Sequence, residues 1–185
     1  MDLELSWIQA LQAWLQTPFL RSFVAFQARW LIVGVGITSI VAYVVERGAV
    51  RRHAWKELGW SVGLAAVTAL ALSLLFAKTR PFLASTAIEA WIPPPSSMYA
   101  FPSMHAAVMW AWAAALTQLE RSWVILWACV AFLVSFARVA SGVHHVSDVV
   151  VGGMIGVAAW GVIRWGHRAS RVLLRSVSHD ESPSI

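Results

Sequence analysis

Two short polar clusters stand at the edges of long apolar runs: Phe101-Pro102-Ser103-Met104-His105 and Arg138-Val139-Ala140-Ser141-Gly142-Val143-His144-His145-Val146-Ser147-Asp148. With Arg80 they offer two arginines, two separated histidines and an aspartate. Ionisable groups at a membrane edge are costly to keep there and mark functional sites by default. These residue types suit one chemistry. Guanidinium groups hold a phosphate through several planar donors, one imidazole attacks it, and another gives a proton to the leaving oxygen.

In the longer cluster Asp148 follows His144 at helical i, i+4 spacing, so the two meet if a helix begins here. A carboxylate on one ring nitrogen fixes the tautomer and leaves the other free to attack. Arg138 supplies multidentate donors to phosphate oxygens, and Gly142 permits a tight turn before the histidine. In the shorter cluster Ser103 and His105 open an apolar run. A helix N-terminus there presents free N–H groups and a partial positive charge to an anion. Ser103 reads equally well as the N-cap of that helix, and the two roles are compatible. Lys78-Thr79-Arg80-Pro81 brings two more cations, suited to a phosphate or a lipid headgroup, although basic residues also flank membrane helices without further purpose.

The elements that must position these groups are apolar helices. Of 185 residues, 59% are hydrophobic and 12% charged, where a soluble domain is nearer half and a quarter. An all-α integral membrane bundle is expected, with five spans and an N-terminal interfacial helix. The spans are placed at about 23–45, 58–77, 104–119, 123–136 and 149–165. The interfacial helix covers residues 3–16, with Leu3, Trp7, Leu11 and Trp14 on one stripe. Thr17-Pro18 reads as an N-cap with proline at the first helical position. Residues 1–175 make one domain, and 176–185 read as a disordered cytoplasmic tail.

The net charge of +5 is not spread evenly. Arg47, Arg51, Arg52 and Lys56 fall in one connection, Arg121 in another, and Arg164, Arg168, Arg171 and Arg175 near the end. Alternating spans place all of these on one side, which the positive-inside rule makes cytoplasmic. That pattern gives no sign of nucleic-acid binding. The polar clusters and Arg80 then converge on the outer face. Asp2, Glu4 and the absence of a basic N-terminal segment point away from a cleavable signal peptide. Cys129, alone in an apolar run, reads as a small lipid- or core-facing residue.

Taken together, Arg80-Pro81, Pro102-Ser103 with His105, and Arg138-x5-His144-x3-Asp148 resemble the three motifs of the type 2 phosphatidic acid phosphatase superfamily. The resemblance covers about residues 58–165. It implies His144 as a nucleophile forming a phosphohistidine, Asp148 as its orienter and His105 as the general acid. Arg80, Arg138 and Ser103 would bind the phosphate, with no metal or cofactor. Three positions depart from the family pattern. Ser73 stands where a lysine is usual, and Lys78 is expected to supply that charge. Met104 replaces a glycine, leaving its backbone N–H for the phosphate, and Ala137 replaces a serine.

The Arg80-Pro81-Phe82 run, the Phe-Pro-Ser-x-His form and Gly142-Val143-His144 are most similar to small bacterial undecaprenyl-diphosphate phosphatases of the bacitracin-resistance type. That implies recycling of a cell-wall lipid carrier at the outer face of the inner membrane. Two alternatives stand beside it. One is hydrolysis of phosphatidate or phosphatidylglycerol phosphate. The other is a catalytically weak lipid-binding or transport protein, favoured by Ser73 and opposed by His105, His144 and Asp148 all being present. A vanadate-dependent oxidase fits poorly with a small membrane chain. Composition does not specify an oligomeric state.

Overall fold

The computed structural model describes residues 3–93, 99–119 and 121–180, the last ten by backbone alone. Among them are seven helices and no strand: α1 Leu3–Trp14, α2 Pro18–Val45, α3 Ala49–Phe76, α4 Pro81–Ala84, α5 Met104–Leu116, α6 Val124–Ala140 and α7 Val146–Asp180. Thr17 is the N-cap of α2 and Pro18 occupies its first turn, but the threonine hydroxyl makes no capping bond. Within α2 the residues Gln27–Leu31 form a π-helical turn.

The expected count of five full spans is not matched. Four helices are long and apolar enough to cross a membrane: Pro18–Val45, Ala49–Phe76, Arg121–Ala140 with its 3₁₀ lead-in, and Val146–Ser170. At 13 residues, α5 is about 20 Å long, against a hydrocarbon layer of about 30 Å. The connection read at 46–57 is also mostly helix. Gly48 is its N-cap and nothing from Ala49 to Glu57 breaks a helix, so α3 carries two polar turns ahead of its apolar stretch. Likewise α7 runs helical to Asp180 because no glycine or proline interrupts Ala169–Asp180. Residues 176–180, at the start of the tail, continue this helix. Residues 181–185 lie outside the described part.

The short α5 is the centre of the bundle, packed on α3, α6 and α7. Its alanines make this possible. Ala107 and Ala111 pack with Ala65, Ala69 and Ala159 in a fully apolar cluster. A Cβ on Gly152 would lie 2.5 Å from the Ser103 carbonyl oxygen, and one on Gly156 would lie 2.2 Å from that of Ala107. Helix backbones approach this closely only through small residues. Gly152 thereby holds α7 against the start of α5, where Ser103 and His105 sit. Two tryptophans of α5 tie it to its neighbours: Trp112 Nε1 donates to Ser39 Oγ at 2.8 Å and Trp110 Nε1 to Ser135 Oγ at 3.2 Å. Trp60, Trp123 and Trp165 are exposed, and so is Cys129 on α6.

The N-terminal helix does more than lie flat. Its stripe of Leu3, Trp7 and Trp14 is exposed, while the opposite face buries Ile8, Gln12 and Leu15. Gln12 acts as a two-way clip. Its Nε2 donates to the carbonyls of Glu89 and Ala140, and its Oε1 accepts from the Glu89 N–H.

Candidate active site

Four segments meet at one end of the bundle. They are the stretch after α3 with Lys78 and Arg80, the start of α5 with Ser103 and His105, the end of α6 with Arg138, and the α6–α7 turn with His144. Asp148 follows in the first turn of α7. The turn depends on Gly142, whose φ is +74°. A Cβ there would meet the Glu89 carbonyl oxygen at 2.4 Å. Two backbone bonds staple the turn to the preceding loop, Phe82 N–H to Gly142 O at 3.2 Å and Trp91 N–H to Ser141 O at 3.1 Å.

His144 is buried, and both its ring nitrogens are engaged. Nδ1 lies 2.8 Å from the Ala100 carbonyl oxygen and 3.6 Å from Asp148 Oδ2. A carbonyl only accepts, so Nδ1 carries the proton and Nε2 keeps its lone pair. Nε2 is 3.4 Å from Arg80 Nη1 and 3.4 Å from Arg138 Nη2. The bare ring nitrogen therefore faces two guanidinium groups. The nearer partner of Nδ1 is the Ala100 backbone, where the spacing had pointed to Asp148 alone.

Backbone carbonyls aim both arginines. Arg80 Nη1 donates to Val143 O at 2.8 Å, and Arg138 Nη1 donates to Ala28 O at 3.1 Å. Ala28 belongs to the π-helical turn of α2, so that irregularity reaches the site directly. Both arginines are about 4% exposed, and Arg138 Nε has no hydrogen-bond partner among the described residues. Two buried cations beside one neutral imidazole call for an anion, since an uncompensated buried charge is costly.

Asp148, fully buried, organises the surroundings. Its Oδ2 accepts from the His145 N–H at 2.8 Å and its Oδ1 from Lys78 Nζ at 3.0 Å. Its main-chain oxygen accepts from the Ser103 N–H at 3.0 Å, which ties the start of α7 to the N-cap of α5. Ser103 caps α5 through Ala106 N–H at 3.5 Å. His105, in the first turn of α5, is near enough to Arg138, His144 and Arg80 to sense their charges.

Lys78, expected to supply a phosphate-binding charge, is joined to the surroundings of Asp148. Its ammonium reaches Ser147 Oγ at 2.9 Å, Asp148 Oδ1, and Glu4 Oε2 at 3.5 Å. Glu4 in turn accepts from the Ser147 N–H at 2.9 Å, so α1 caps α7 from a distance. Ser73 spends its hydroxyl on the Leu70 carbonyl, within α3. Met104 is partly exposed at the first position of α5. Glu4, Gln12, Ala28 and Ala100 carried no sequence signal for a role here. His145 and Ser147 lay inside a recognised cluster without one.

Burial pushes the His144 imidazole down to about 4 from 6.5; the Asp148 carboxylate opposes this, and the Arg138 and Arg80 charges add to it. The ring is thus neutral at pH 7. Its stabilising contribution is complete above about pH 6.5, the unfolded value, and is lost as pH falls from there toward 4. The loss is on the order of 3 kcal/mol. In detergent, the thermal midpoint of the wild type should fall across this window more steeply than that of His144→Gln. Parallel slopes would refute a neutral buried His144.

A family model described as the PAP2 superfamily matches residues 54–171. Among solved structures, the crystal structure of Aquifex aeolicus LpxE is similar with a TM-score of 0.74 and 22% identity, over 88% of this chain and 95% of that one. A second is the first transmembrane PAP2 type phosphatidylglycerolphosphate phosphatase from Bacillus subtilis. It has a TM-score of 0.66 and 17% identity, over 91% of this chain and 88% of that one. Among curated protein sequences, none matches.

Proposed function

The chain belongs to the PAP2 superfamily, and we propose that it is a membrane lipid phosphatase that hydrolyses an isoprenoid diphosphate, undecaprenyl diphosphate, to the monophosphate through a phosphohistidine. The observation that carries the mechanism is His144 Nε2, unprotonated and lying 3.4 Å from each of two buried guanidinium groups. A terminal phosphoryl group bridging Arg80 and Arg138 brings its phosphorus to Nε2. The N–P bond forms as the bond to the bridging oxygen breaks, and His105, which takes up a proton as the phosphate anion offsets the arginine charges, gives that proton to the oxygen. Positive charge grows on the imidazole, where the Ala100 carbonyl and the Asp148 carboxylate receive it. His105, now neutral, takes a proton from water as the water attacks phosphorus. Inorganic phosphate leaves and His144 is regenerated. The arginines act throughout as a preorganised clamp for the equatorial oxygens.

Two features support a long apolar substrate. A groove of about 850 Å³ beside the site is lined by Trp7 and Ile8 of α1, Phe132 and Phe136 of α6, and Val149 and Met154 of α7. Its lining is overwhelmingly apolar, as a prenyl chain requires. The arginines of the opposite end, Arg51, Arg52, Arg121, Arg164 and Arg168, favour a cytoplasmic location for that end. The phosphate cluster then opens to the outer face of the inner membrane. We read α5 as a short fifth crossing, since α3 and α6 end at the site while α5 and α7 begin there.

A second reading, hydrolysis of phosphatidylglycerol phosphate, is favoured by the similarity to the Bacillus subtilis phosphatase of that name. The test is phosphate release by purified protein from undecaprenyl diphosphate, phosphatidate and phosphatidylglycerol phosphate side by side, with and without chelator. The isoprenoid is expected to lead by at least about tenfold in kcat/KM, with chelator making no difference, a margin of about 1.4 kcal/mol. A reversed ranking would transfer the assignment to the glycerolipid. Binding without turnover of any of them would favour a lipid carrier instead.

A further inference from the structure

The far end of the bundle holds a second cluster that phosphoryl transfer does not use. His53 and Glu57 sit one turn apart on α3, and His167 reaches them from α7. We propose that His53, Glu57 and His167 form a binding site for a divalent transition metal of the zinc type, pinning α3 to α7 at this end.

The three donor atoms form a nearly regular triangle. His53 Nε2 is 3.1 Å from Glu57 Oε1, His167 Nδ1 is 3.5 Å from the same oxygen, and the two imidazole nitrogens are 3.2 Å apart. Tetrahedral zinc with bonds of about 2.0–2.1 Å needs ligand atoms about 3.3 Å apart. One ion therefore fits with little movement. Two imidazoles and a carboxylate are a three-ligand zinc set, leaving the fourth position for water. All three atoms are acceptors when the imidazoles are neutral and so turned, and a cation satisfies them together. The Glu57 side chain is 3% exposed, whereas those of His53 and His167 are 46% and 30% exposed, giving a buried anchor with an open entrance.

The neighbourhood limits affinity. Arg121, Arg164 and Arg168 line the adjoining cavity and repel a dication, while Glu57 is the one carboxylate among the described residues lining it. Arg164 is partly occupied with Gln118 Oε1 and the face of Trp160. The pin lies far from the chemistry: nineteen residues separate Asp148 from His167 along α7, about 28 Å of helix. It therefore acts on the rigidity of the bundle, and not on the phosphorus.

The experiment uses full-length protein in detergent, with its affinity tag removed, washed with chelator and titrated with ZnCl2. Calorimetry is expected to find one ion per chain, with a higher thermal midpoint in zinc and an unchanged hydrolysis rate. Co2+ should give the intense visible bands of a tetrahedral site. His167→Gln, and the pair His53→Gln with His167→Gln, should weaken binding at least tenfold and abolish the thermal shift while hydrolysis stays at the wild-type level. The single variant, at a partly exposed position, serves if the pair fails to fold. Equal zinc binding by wild type and His167→Gln, or no zinc-dependent shift in the wild type, would overturn the proposal. Binding of inorganic phosphate at this end with no zinc binding would overturn it too, and would assign the cavity to the arginines.

Discussion

His144→Ala is expected to lower hydrolysis of the lipid substrate by about 10⁴-fold or more while the chain still folds, because His144 Nε2 is the ring nitrogen that faces both guanidinium groups. His145 is the only other imidazole in the same turn, and its Nδ1 faces Asp148 Oδ2 at 3.1 Å. The two guanidinium groups lie instead beside Nε2 of His144. Alanine also leaves the Ala100 carbonyl without its donor, so loss of activity could follow from a disturbed loop. His144→Asn separates these effects, since its amide NH2 sits near the place of Nδ1–H and can still donate to Ala100 O. Both variants should lose turnover, with the asparagine variant keeping a near-wild-type thermal midpoint. Base-quenched wild-type protein mixed with phosphate-labelled substrate should carry label on histidine, and neither variant should. Turnover within tenfold of wild type in His144→Asn would end the nucleophile assignment.

The candidate cluster was legible because its residues bring their own chemistry. His144, Asp148, Arg138, Arg80, Ser103 and His105 announce themselves by type and spacing in an oily chain, and the structure brings them together. What was not legible is done by the main chain or by distant partners. Ala100 and Ala28 contribute only carbonyl oxygens, for which alanine leaves no trace in sequence. Glu4 and Gln12 reach the site from 143 and 128 residues away, and no local pattern encodes such a contact. Lys78 was read as a phosphate ligand from its charge; its contacts with Asp148 and Glu4 left no trace in the sequence. Helix types were clear from hydropathy, yet the ends were not. Polar turns such as Ala49–Glu57 extend a helix past the hydrophobic stretch whenever no breaker intervenes.

The same contrast explains why α1 belongs to the site. Its apolar stripe alone suggests a helix resting at an interface. Its hidden face instead supplies Glu4 to the N-terminus of α7 and Gln12 to the loop above the Gly142 turn. A negative charge at a helix N-terminus is favourable, and here it also holds Ser147 and Lys78 next to Asp148. The helix can thus carry one wall of the apolar groove and brace the carboxylate at once.

Arg138→Lys is expected to cut kcat/KM by about 10²–10³-fold, with kcat falling more than KM rises. Lysine keeps the charge but not the fork. Arg138 Nη1 is committed to Ala28 O and Nη2 approaches His144 Nε2, so one side chain serves as both brace and clamp. An ammonium can reach one of these places at a time. If it stays with Ala28, the equatorial oxygens lose a donor at the moment charge is redistributed over them; if it turns to the phosphate, α6 loses its tie to the π-helical turn of α2. Arg138→Ala should be worse in a different way. It leaves a buried carbonyl unpaired and removes half of the anion-binding charge, so stability should fall along with rate. Vanadate, which adopts the five-coordinate geometry of the transferring phosphoryl group, distinguishes clamp from brace. It should inhibit Arg138→Lys at least tenfold more weakly than wild type, with the thermal midpoint little changed. A lysine variant with wild-type kcat and wild-type vanadate sensitivity would make Arg138 only a brace between α6 and α2, and leave Arg80 as the single clamp on the phosphate.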